Sequence, residues 1–221
     1  MAVYIEALIL YVVLFFSGAA AGTSLEEFSI PAEIIKIVLY CIPSIALIYL
    51  LLYNHYKYLF SRNWMDEFQV IKPGKKDILP GLITLPCLLI TGFFISTISS
   101  LVSGGTAEQA AIQTPSSAAG WIILCISCIF AAYLEESFFR FYLLSKRQEM
   151  NLTGPSALFL STVLFSICHI YEGPWGFMNA AIAGLFLGFM FLRYNSLHGI
   201  AIAHGLYNII AFVILAAASV P

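Results

Sequence analysis

Residues able to do chemistry are concentrated in the second half of the chain. Glu135, Glu136 and Arg140 stand inside a run, Trp121 to Leu144, that is otherwise almost wholly apolar. On a helix Glu136 and Arg140 lie four apart on one face, in the favourable acid-first order, and are expected to form a buried ion pair that fixes packing. Glu135 points about 100° away and is left outside that pair. Ionisable groups in a membrane span cost at least about 2.5 kcal/mol on insertion scales, so an unpaired carboxylate kept there suits a general base. Two later runs carry Phe165-x-x-x-His169 and His204-x-x-x-Asn208. One histidine among apolar residues is ordinary packing. Two histidines, a carboxylate and an asparagine on three helices point instead to a shared site. That set suits general acid–base chemistry. It also suits a metal, because Glu135, His169 and His204 make up a His₂Glu zinc set. The spacing leaves both open. No His-Glu-x-x-His helix is present, and no cofactor is assigned.

The elements that must position these residues are membrane helices. The 221 residues are 61% apolar and only 10% charged, with a mean hydropathy of +0.92; a soluble domain carries about 25% charged residues. Lipid must be the solvent for most of this surface. Runs able to cross a core of about 30 Å lie at Ala2 to Ala21, Ile34 to Tyr53, Ile78 to Leu101, Trp121 to Leu144, Ala157 to Ile170, Phe177 to Leu192 and Ile200 to Val220. The fifth and sixth are short for a full span. The expectation is an all-α, polytopic membrane helix bundle of about seven transmembrane helices. Residues 1–120 hold three helices without a motif, and residues 121–221 hold the chemistry.

Basic residues orient the bundle. Lys57, Arg62, Lys72, Lys75 and Lys76 follow the second run, Lys146 and Arg147 the fourth, and Arg193 the sixth, which predicts that these loops and the amino terminus face the cytoplasm. The alternate loops hold Glu26, Glu27, Glu108 and Glu172, with Lys36 the exception. The basic residues form no face with interleaved aromatics, so nucleic acid is excluded as a partner; lipid is the expected one. The five cysteines sit in or beside apolar runs and read as packing residues, not a disulfide framework. The apolar amino terminus lacks a positive n-region, so it reads as a retained helix. His198, in the turn Asn195 to Gly199, is assigned to the interface, and Glu6 is given no partner.

Glu135-Glu136-x-x-x-Arg140, Phe165-x-x-x-His169 and His204-x-x-x-Asn208, in that order, resemble the motifs of the CAAX protease and bacteriocin-processing family (CPBP, also called Abi), which includes the type II CAAX prenyl endopeptidases. The stretch Gly184-Leu185-x-Leu187-Gly188 before Arg193, then Ser196-Leu197, also looks like that family's penultimate helix and turn. The likeness covers roughly Trp121 to Ala211. It implies an intramembrane peptidase of a prokaryotic cell membrane, acting on a peptide or protein substrate. Glu135 would be the general base, with His169 helping to hold the water. His204 and Asn208 would stabilise the oxyanion, and Glu136, Arg140 and Phe165 would support the site. The prenyl substrate is not carried over. Two alternatives belong to other classes: a non-proteolytic scaffold or bacteriocin-immunity protein, and a transporter, for which repeated halves with broken helices are missing.

Overall fold

The computed structural model describes residues 2–22, 28–59, 72–102 and 114–218, side chains excepted at 17–22 and 56–59. The side chains of Lys57 and Arg62, and those of Glu26, Glu27 and Glu108, lie outside the described residues. Everything regular among the described residues is helical. In lipid the backbone has no water to bond, so each spanning segment must satisfy its own N–H and C=O groups, which a helix does.

Five helices are long and apolar enough to cross a membrane. They are α2 (Ile30–His55, continuing to Leu59), α3 (Lys75–Val102), α4 (Ala118–Ser145), α6 (Ile170–Tyr194) and α7 (Leu197–Ala218). Two shorter apolar helices join them, α1 (Ala2–Gly22), apolar over Ala2–Phe16, and α5 (Gly154–Cys168). The chain is therefore an integral membrane protein, with Leu39, Phe93, Leu101 and Phe159 among the large apolar side chains left facing outward.

Several boundaries differ from the sequence expectation. Helix α2 starts at Ile30, not Ile34, because Ser29 caps it through Ala32 N at 3.4 Å and Pro31 suits the first turn. The one charge this adds, Glu33, is accommodated. Glu33 pairs with Lys36 at 3.6 Å and accepts a hydrogen bond from Ser127 of α4. Helix α6 is not short. Gly173-Pro174 looks like loop chemistry, but the proline sits in the first turn of Gly173–Tyr194, after a 3₁₀ turn over Ile170–Glu172. Helix α5 is short as expected, but it ends at Cys168, so His169 is its cap and not an internal residue.

Helix α4 is the axis of the molecule. From Glu136 to Leu144 every residue is buried, the charged Glu136 and Arg140 among them, and Ser137–Tyr142 is wound as a π-helix. Helix α6 ends at Asn195, which takes φ +52°, a left-handed conformation asparagine tolerates, and bonds back to Phe191 O at 2.8 Å. The reversal brings α7 alongside α4. Gly205 permits that approach, since a Cβ there would meet Cδ1 of Ile129 at 2.6 Å and its Cα at 3.1 Å.

Candidate active site

The pair Glu136–Arg140 forms as its spacing predicts. Arg140 Nε lies 3.2 Å from Glu136 Oε2, and both side chains are 0% exposed. The contact is an ion pair without hydrogen-bond alignment, because Arg140 Nε and Nη1 and Glu136 Oε2 have no hydrogen-bond partner among the described residues. Arg140 Nη2 reaches Gly184 O of α6 at 3.4 Å. The guanidinium also lies over the Phe165 ring, with its Cζ 4.3 Å from the ring centre.

His204 brings α7 into the same cluster. Its Nδ1 is 2.9 Å from Glu136 Oε1. An ionised carboxylate only accepts, so Nδ1 carries the proton and donates. The other ring nitrogen, Nε2, lies 3.7 Å from Glu135 Oε2. Glu136 is thus shared between an arginine and a histidine, a partner that no spacing along the chain announces.

Glu135 and Glu136 have different surroundings although they are neighbours. The Glu135 side chain is 27% exposed and that of Glu136 is sealed. Glu135 Oε2 is itself buried and has no hydrogen-bond partner among the described residues. A buried polar atom in that state marks a place for water or a reacting group.

His169 enters from the end of α5. Its Nδ1 lies 2.8 Å from the Phe165 carbonyl oxygen. A carbonyl accepts only, so Nδ1 carries a proton, and in the neutral ring Nε2 then has the lone pair. Its ring packs on Phe165 with centroids 4.5 Å apart, and the His204 ring lies 6.0 Å from the same phenyl. Phe165 is therefore the hub, touching Arg140, His169 and His204 together with Phe139 at 5.2 Å.

Asn208 is half-buried on α7, and its side chain makes no hydrogen bond among the described residues. Its neighbour Tyr207 ties α7 to α6 by accepting from Asn179 Nδ2 at 3.0 Å. His198 lies in the first turn of α7 and not in a loop. Its Nδ1 is 2.9 Å from the Tyr133 hydroxyl, two residues before Glu135. Helix α7 thus begins beside Tyr133 instead of beside the end of α4 at Ser145, which brings His204 to the depth of the two glutamates.

Sequence reasoning missed Glu172, which it placed in a loop. The residue opens α6, and its N–H donates to the His169 carbonyl oxygen at 3.0 Å; the only signal was its place three residues after His169. The zinc reading does not fit. Among the described residues no three His, Cys, Asp or Glu side chains, Glu135, His169 and His204 included, are arranged to hold a metal ion.

Residues 117–210 match the family described as type II CAAX prenyl endopeptidase Rce1-like, a protease family. The matched segment contains every candidate residue above from Glu135 to Asn208. No curated protein and no solved structure matches the chain.

Proposed function

We propose that the chain is an intramembrane endopeptidase in which Glu135 and His169 activate a water molecule. The observation that supports this reading best is that one cluster within the Rce1-like segment joins Glu135, the Glu136–His204 pair, Arg140 and His169 around Phe165. Glu135 has the attributes of a base: partial exposure, an oxygen without a hydrogen-bond partner, and a neighbour that carries the packing duties. In hydrolysis its carboxylate takes a proton from water, and the hydroxide adds to the peptide carbonyl carbon. The proton then passes to the leaving amine as the C–N bond breaks. His169 offers the lone pair of Nε2 to hold the water. His204, once Nε2 is protonated, and Asn208 donate toward the developing oxyanion. We do not extend the prenyl group of the family's substrates to this chain.

The test is a peptidase assay of detergent-purified protein on a peptide library, with Glu135→Ala as the blank. Cleavage by the wild type alone supports the reading. Cleavage by neither, with movement of an ion or solute, would replace it with a transporter. Asn208→Ala is expected to lower kcat by about 10²- to 10³-fold with little change in KM, as loss of one oxyanion donor does. Asn208→Asp should be worse, because a carboxylate there repels the oxyanion. Unchanged kcat in Asn208→Ala removes that role.

The reading extends to topology. The two short apolar helices complete seven spans, residues 1–120 brace the catalytic residues 121–221, and the amino terminus faces the cytoplasm. Lys146 is a poor reporter of sidedness because it is fully buried. Cysteines placed at Lys75 and Asn151, both exposed, should resist a membrane-impermeant thiol reagent in intact cells and react after permeabilisation. Ready labelling from outside would invert the topology.

A further inference from the structure

Helix α3 belongs to the half of the chain without a motif, yet its first turn is fastened to the first turn of α7. Ser196, directly before α7, caps that helix by accepting from Gly199 N at 3.2 Å. The same hydroxyl donates its proton to Asp77 Oδ1, 2.5 Å away on the first turn of α3. The other carboxylate oxygen of Asp77 accepts from Gly74 N at 2.8 Å. Asp77 and Ser196 are both buried.

Backbone contact accompanies these bonds. A Cβ on Gly199 would clash with the Asp77 carbonyl oxygen and meet Pro80 Cγ at 3.1 Å, and one on Gly81 would meet the Gly199 carbonyl oxygen at 3.2 Å. Farther along, a Cβ on Gly92 would meet the Tyr207 hydroxyl at 2.6 Å, so α3 stays against α7 past the level of His204. What the polar contact sets is depth. His204 follows Gly199 on one continuous helix, about 7.5 Å along its axis. The height at which α7 starts therefore decides whether His204 Nδ1 reaches Glu136 Oε1, now 2.9 Å away. Packing of apolar side chains is non-directional and lets a helix slide, whereas a hydrogen bond to a carboxylate holds one position.

We propose that Asp77 is a positioning residue for the hydrolytic site: by holding Ser196 it sets the depth of α7, which seats His204 on Glu136 and brings Asn208 to the reacting carbonyl. This role rests on the hydrolytic reading above, and it gives α3 a task in the reaction.

Two readouts on the full-length protein in detergent separate placement from chemistry. The first is the His204 ring N–H signal in the ¹⁵N-histidine spectrum, identified by its loss in His204→Gln. Asp77→Ala, studied well below its own melting temperature, should shift or broaden that signal. Asp77→Asn, which keeps an oxygen for Ser196 to donate to, should retain it. The second readout is peptide cleavage. Asp77→Ala should lower kcat by about 10- to 100-fold with little change in KM, the scale of a displacement of about 1 Å, and Asp77→Asn should recover most of the loss. An unchanged His204 signal, or a wild-type kcat, in folded Asp77→Ala would overturn the role of Asp77, and the hydrolytic reading would stand as long as the wild type cleaves and Glu135→Ala does not. A shifted signal in Asp77→Ala beside a wild-type protein that cleaves no peptide would support Asp77 as the anchor of α7 and sink the hydrolytic reading alone. Should Asp77→Ala fail to fold, Ser196→Ala removes the same bond and is judged by the same two readouts.

Discussion

Glu135→Gln is expected to lower kcat for peptide cleavage by about 10³-fold or more, while the protein keeps its wild-type melting temperature. General bases contribute roughly 10²- to 10⁴-fold, and an amide of the same shape cannot take the proton from water. Folding should be spared because Glu135 makes no hydrogen bond through Oε2 and lies 3.7 Å from its nearest ion partner, His204. The comparison that matters is between variants. Full activity in Glu135→Gln would remove the base and with it the main support for an enzyme.

Arg140→Ala is expected to do the opposite, destabilising the fold by about 3–5 kcal/mol, the range for breaking one side of a buried ion pair. The substitution leaves the sealed Glu136 carboxylate with only His204, and it strips Phe165 of the guanidinium stacked 4.3 Å from its centre. Glu136→Gln should cost less, because the amide oxygen still accepts from His204. Thermal unfolding in detergent beside kcat for the three variants separates the jobs. Equal loss of fold in all three would make Glu135 a structural residue.

The contrast between these variants reflects how legible each residue was. Glu136 and Arg140 share a helix, so their pairing follows from a four-residue step, and it survives the π-helical winding over Ser137–Tyr142. That Glu135 stands outside the pair also follows from local geometry, since it points about 100° away from Glu136. Nothing local predicts the bond from His204 to Glu136, because it depends on where α7 begins and on how close Gly205 lets it come to Ile129. His169 was placed inside the run Ala157 to Ile170, near its end, yet the helix stops one residue before it, and the Phe165 carbonyl that helix termination leaves free becomes the acceptor for its ring.

Hydropathy by itself determined that the chain is helical and embedded in lipid, since backbone groups without water must bond within their own segment and apolar runs of known length report where that happens. Within each run, helical periodicity also fixed which chemical groups share a face. Tertiary structure alone decided the assignments between runs: that Phe165 is the common neighbour of Arg140, His169 and His204, and that Glu6 meets His55. Partners on different helices are chosen by crossing angle, depth and close backbone approach. Those quantities depend on many side chains at once, whereas the spacing of two residues on one helix depends only on its pitch.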